Sequence, residues 1–214
     1  MIYRILAKLT LSLFLISSIL FSVAYASTNR TPPPRFYAGG TIAYGKTTWK
    51  QLDSDDFAVQ SSAPVSSIDK GTTWGAFLGY QFGKSFAMEA TYMRYPNTHI
   101  RLGDFSFYYP LEEINTRTQV YSLVTKFLLP VMNARANLFM DTGVGFTRRS
   151  DVLAKVTRVG PTFGFGISFN PARRIITEAG FEYYVGYGKS ERRPVADFVP
   201  FLYALYLRIG YRIC

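Results

Sequence analysis

Beyond residue 35 the chain alternates, with apolar or aromatic residues at every second position over stretches of about ten residues and small or polar ones between. A period of two marks β-strands, whose side chains switch faces at each step. Eight such segments are predicted, over 36–46, 73–82, 86–95, 117–128, 136–147, 158–169, 175–185 and 201–213, most of them bounded by turn-type residues. The connections alternate in length. Tight turns are expected at 83–85, 130–134 and 170–173, and longer links at 47–72, 96–116, 148–157 and 186–200.

The two faces of these strands differ in chemistry. One carries Phe36, Ile42 and Tyr44, then Trp74, Leu78 and Phe82, then Phe86, Met88 and Tyr92. It continues through Tyr121, Leu123, Phe127, Leu138, Met140, Val144, Phe146, Phe163, Phe165, Ile167 and Phe169. Phe181, Tyr183, Tyr203, Leu205, Leu207, Ile209, Tyr211 and Ile213 complete it, and no charge interrupts it. The opposite face reads as small or polar: Gly39, Thr41, Gly45, Gly75, Gly79, Glu89, Thr91, Ser122, Lys126, Asp141, Gly143, Gly145, Gly164, Gly166, Glu178, Gly180, Glu182, Arg208, Gly210 and Arg212. A soluble ligand carrier would hide the apolar stripe and wet the charged one. Charges confined to the glycine-rich face imply the reverse, a barrel with lipid outside and polar groups within. The predicted fold class is all-β: an eight-stranded antiparallel up-and-down transmembrane β-barrel, whose interior is only just wide enough for side chains.

Ring positions agree with that reading. Phe36, Phe82, Phe86, Phe127, Phe169 and Tyr211 fall at one end of the strands. Tyr44, Trp74, Tyr92, Tyr121, Phe146, Tyr183 and Tyr203 fall at the other, so the rings form two girdles at the two membrane interfaces. Short turns then belong to the periplasm and long links to the exterior.

The first 26 residues read as an export signal: Arg4 and Lys8, an apolar run over 9–24, and a small-x-small site at Ala24-Tyr25-Ala26. Residues 27–35 form a Pro-containing periplasmic lead, and 36–214 the barrel domain. The apolar run is short for a spanning helix, which usually needs about 20 residues. Cleavage would remove two cations and no anion, taking the net charge from +10 to +8. Aromatics make up 17% of the chain, more than a soluble secreted domain would need unless the rings face something apolar. One cysteine excludes an internal disulfide framework. Export and the scattered placement of the basic residues argue against nucleic acid as a partner.

With these strands in place the chain resembles the OmpA-like and OmpX-like family of small outer-membrane barrels over most of 36–213. The resemblance lies in FYAGGTIAY from Phe36 to Tyr44, GAFLGYQF from Gly75 to Phe82, MEATY from Met88 to Tyr92, and the closing Tyr211-Arg212-Ile213. It implies the outer membrane of a Gram-negative bacterium, and an architecture rather than an activity. Family members end on an outward phenylalanine read by the barrel-assembly machinery. Here Ile213 stands in that place and Cys214 follows it. The peptidoglycan-binding domain of the longer members has no counterpart in the sequence.

The candidate sites are few. Glu89, Asp141, Glu178 and Glu182 are expected to face Lys126, Arg208 and Arg212 inside the barrel, because a near-balanced ion-pair network is the affordable way to bury such charges. It is read first as a permanent salt-bridged plug, with a gate in a small conductance path as the alternative. Catalytic residues, cofactors and metal ligands are expected to be none. The single histidine, His99, lies in a predicted loop without the acid and nucleophile that a hydrolase arranges around it. One histidine and one terminal cysteine do not make a transition-metal site. Cys214 reads as a bland chain end, ahead of an intermolecular disulfide and a reactive thiol.

The loops supply the remaining candidates. Phe105, Phe107 and Tyr109 form a ring cluster in the second external link, either a hairpin extension above the membrane or a contact surface. Arg148 and Arg149 in the third, and Arg192 and Arg193 in the fourth, are suited to lipopolysaccharide phosphates. The expected partners are therefore outer-membrane lipid and lipopolysaccharide, the assembly machinery and, more ambitiously, host surface components. The leading function is a structural or surface-interaction, adhesin-like barrel. A small porin-like channel is the alternative, and a lipid A-modifying enzyme ranks behind both.

Overall fold

The computed structural model describes residues 35–48, 66–68, 70–101, 113–131, 136–152, 155–172, 174–187 and 199–213. They form ten strands: β1 (Arg35–Thr47), β2 (Ser66–Ile68), β3 (Lys70–Gln81), β4 (Phe86–Arg94), β5 (Thr98–Arg101), β6 (Glu113–Val131), β7 (Ala136–Ser150), β8 (Lys155–Ala172), β9 (Ile175–Tyr184) and β10 (Leu202–Ile213). Eight of these close a barrel. Each of β3, β4, β6, β7, β8, β9 and β10 pairs antiparallel with the next, and β1 joins the ends by pairing with both β3 and β10. All eight predicted strands are present. Closure removes the free sheet edge that lipid would not tolerate.

Two features exceed the sequence expectation. β5 and β2 add to the far end of β6, with His99 opposite Asn115 on one side and Ile68 on the other. Part of the second predicted link is thus a strand extension. β6, β7 and β8 also run longer than predicted, at 19, 15 and 18 residues. The third link shrinks to 151–154, because the Arg148–Thr157 and Arg149–Val156 pairs continue the ladder. A paired backbone needs no lipid to be stable, so strands extend past the apolar band wherever both partners supply residues.

The face assignment holds on every barrel strand. Ile42, Trp74, Leu78, Leu123, Met140, Phe165, Leu205, Leu207 and Ile209 are each about half or more exposed on the outside. Rings touch in a chain along one rim, from Phe36 through Tyr80, Phe82 and Phe86 to Phe127 at centroid spacings of 4.6 to 5.8 Å.

The interior departs from expectation in one respect. It is more than small and polar: Tyr37, Phe77, Met93, Tyr95, Phe139, Tyr184 and Tyr206 are buried there as well. The inward glycines explain how they fit. A methyl group on Gly79 would collide with the Tyr37 ring, on Gly210 with Phe77, and on Gly180 with Tyr206. Each glycine vacates the volume that a ring from a neighbouring strand fills, which brings a narrow lumen to close packing.

Candidate functional site

The centre of the lumen holds a crossed set of charges. Glu89 comes from β4, Lys126 from β6, Glu178 and Glu182 from β9, and Arg208 from β10, all projecting inward by strand alternation. In the closed order β4 faces β9 across the barrel and β6 faces β10. Lys126 Nζ donates to Glu89 Oε2 at 2.8 Å on the adjacent strand and to Glu178 Oε2 at 2.9 Å on the far side. Arg208 donates through one nitrogen to Glu89 Oε1 at 2.6 Å, across the lumen, and through the other to Glu182 Oε2 at 3.0 Å beside it. Glu89 is the hub. It also accepts from the Tyr37 hydroxyl at 3.1 Å and from the Thr91 hydroxyl at 3.3 Å.

Rings close the spaces around the charges. The Arg208 guanidinium lies 4.0 Å from the Tyr206 ring centroid and 5.4 Å from that of Phe77, and Lys126 Nζ lies 4.7 Å from that of Phe139. These cation–π contacts supply attraction where water is excluded. Beneath the cluster is a cavity of about 20 Å³ lined by Tyr37, Lys126, Ser168, Glu178 and Arg212 among others, room for roughly one water.

Two of the expected interior charges sit apart from this hub. Asp141 lies in register with Lys126 and is 5% exposed, yet its Oδ1 has no hydrogen-bond partner. Arg212 lies nearer the short-turn end and donates to Asn170 Oδ1 at 2.8 Å.

The loop candidates divide. Arg148 is exposed on the outer face of β7, whereas Arg149 is inward and 1% exposed. Its Nε donates to Asp151 Oδ2 at 2.5 Å, and Thr116 donates to the same oxygen at 3.3 Å. Arg149 is therefore corrected from a surface contact to an interior ion pair, because the ladder continues past it to Ser150 opposite Lys155. Phe105, Phe107, Tyr109, Arg192 and Arg193 lie outside the described residues, as do Cys214 and the leader. His99 is an exposed strand residue.

The sequence reading missed the buried rings that line the network. Tyr37 and Tyr206 fall on the inward register, and the glycines opposite them were the available signal.

A family model for the outer membrane protein beta-barrel domain matches residues 13–212. The chain belongs to that family. Among solved structures, the barrel is similar to the outer membrane protein OprG from Pseudomonas aeruginosa, with a TM-score of 0.56 and 14% identity over 84% of this chain and 95% of that one. It also resembles the N-terminal β-barrel domain of Pseudomonas aeruginosa OprF, with a TM-score of 0.51 and 10% identity over 86% and 100%. Escherichia coli outer membrane protein W superposes with a TM-score of 0.50 and 10% identity over 87% and 100%. At such identities the likeness is one of fold. No curated protein sequence matches the chain. The family and the fold make it an outer-membrane barrel, consistent with the OmpA-like and OmpX-like resemblance.

Proposed function

We propose that this outer-membrane barrel is closed to passage and serves a structural and surface-interaction role, acting through its external end on lipopolysaccharide and host surface components. The observation that carries the reading is the crossed network: Lys126 and Arg208, from opposite walls, each bridge to Glu89 and to β9. An ion entering the lumen would have to displace charge-assisted hydrogen bonds in a water-poor space, where breaking a buried pair costs about 3–5 kcal/mol. Rings seated over glycines fill what remains of the cross-section.

The proposal includes export through residues 1–26 and includes no catalysis. N-terminal sequencing of the membrane-inserted protein should begin at Ser27, and lipid A masses should not depend on His99. Planar-bilayer recording tests the closed lumen and separates it from the channel alternative. The purified barrel should give no resolved openings, and Lys126→Ala should introduce them. Well-resolved openings of the unaltered barrel would establish the channel instead.

A further inference from the structure

Among the described side chains, the charges that face outward are cationic. Among the described residues, the side chains of Glu89, Asp141, Asp151, Glu178 and Glu182 all lie inside or are screened from solvent. Cations occupy the outer face at the end bearing the long links, and they are unevenly distributed. On β9 and β10 that rim is aromatic, with Tyr183 stacked at 6.1 Å on Phe201 and packed against Tyr203. On β4, β6, β7 and β8 it is basic.

The basic side has a definite layout. Arg94, Gln119, Arg148 and Thr157 form one row across four neighbouring strands, and Arg117, Ser150 and Lys155 form the next row outward. Strand spacing places Arg94 and Arg148 about 10 Å apart, with Arg117 and Lys155 about one further pleat repeat out. Arg117, Arg148 and Lys155 are exposed. Arg94 is held against Trp74, its guanidinium carbon 6.0 Å from the ring centroid. Gln119 Nε2 donates to the Tyr92 hydroxyl at 3.1 Å, tying the polar row to the girdle. Trp74 stands beside Arg94 in the same row, and directly below lie Tyr121 and Phe146, then Leu123 and Val144, all about half exposed.

We propose that this face is a lateral binding site for the phosphorylated sugar headgroup of lipid A, with its acyl chains lying along the apolar wall beneath. Four cations on adjacent strands, at the level of the aromatic girdle, match a headgroup carrying more than one phosphate. Three of the four are arginines, which grip phosphate through paired N–H groups. A glycerophospholipid presents one phosphate and would engage only part of the set. The inference rests on the orientation proposed above, long links outward, and is independent of whether the lumen conducts.

The test reconstitutes the full barrel in phosphatidylethanolamine bilayers doped with bisphosphorylated lipid A, monophosphorylated lipid A or phosphatidylglycerol. Lipid retained per barrel after extraction is then measured by mass spectrometry. Arg94→Gln, Arg117→Gln, Arg148→Gln and Lys155→Gln combined should lower retention of bisphosphorylated lipid A by about tenfold or more. The two-residue variant Arg117→Gln with Lys155→Gln should lose part of it, and serves if the fourfold variant does not fold. Lys46→Gln with Lys70→Gln, a facing cation pair on β1 and β3, should leave retention unchanged. Unchanged retention in the basic-face variants, equal loss in the Lys46 and Lys70 variant, or equal retention of phosphatidylglycerol would each overturn the site. Labelling of Val152→Cys on intact cells, in a Cys214→Ser background, reads the orientation separately: protection of that thiol would refute the orientation and not the affinity.

Discussion

Met88 and Glu89 are neighbours on β4, and one alternation of the backbone sends them into different solvents. Met88 is 37% exposed among rings and aliphatic side chains on the outer wall, while Glu89 is 1% exposed and holds Lys126, Arg208 and Tyr37 within the lumen. The same contrast runs around the whole barrel. The outer wall is stabilised by apolar contact with lipid and tolerates variation in size, because acyl chains adapt. The inner face is stabilised by fixed geometry, charge against charge and ring against glycine, and has little tolerance. A membrane barrel of this width thus inverts the usual arrangement, with its specific packing polar and its general packing apolar.

The largest break in this contrast should come from the hub. Lys126→Met removes the cation shared by Glu89 and Glu178, leaving both carboxylates short of a partner in a buried space. The loss should be about 3–5 kcal/mol, read as a lower urea midpoint for the membrane-inserted barrel. On the other wall, Leu207→Arg puts a charge into the lipid-facing middle of β10, where Leu207 is 63% exposed. A cost of about 2–4 kcal/mol is expected by the same measurement, and much less for Leu207→Ala.

Two adjacent glycines sharpen the comparison further. A methyl group on Gly39 would run into the backbone oxygen of Ile209 and the Phe77 ring, whereas on Gly40 its nearest contact would be 4.0 Å away, at the Gly75 oxygen. Gly39→Ala should cost about 1–3 kcal/mol by overpacking, and Gly40→Ala should stay within about 0.5 kcal/mol. The smallest effect is expected from Asp141→Asn. It neutralises an interior carboxylate whose Oδ1 is unpartnered, so stability should hold or rise by about 1 kcal/mol or less. A large loss there would place Asp141 in the network.

The eight strands and both faces were legible because a period of two is local: Leu205, Leu207 and Ile209 alternate with Tyr206 and Arg208 whatever the rest of the chain does. The charges that meet at Glu89 followed from the same alternation, since a narrow lumen gives them nowhere else to go. What the sequence hid was long-range. Which ring lies over which glycine depends on register between strands, as with Phe77 against Gly39 and Gly210. Tyr37 and Tyr184 each follow an outward ring, so their strands look aromatic on both faces. The ends of β7 and β8 were hidden for another reason. Beyond the girdle there is no apolar signal to count, and Arg148 and Arg149 read as loop although backbone pairing carries them on. Continuing the inward alternation from Gly145 and Thr147 would have placed Arg149 inside.

Adjacent residues of one strand face lipid on one side and a packed interior on the other. Tryptophan quenching on β10 tests this directly. In a background with Trp49→Phe and Trp74→Phe, a single tryptophan is introduced by Leu207→Trp or by Tyr206→Trp, whose side chain is 2% exposed. Brominated acyl chains should quench the first strongly and the second weakly, with aqueous iodide reaching neither. Equal quenching at the two positions, or stronger quenching at 206, would contradict the account.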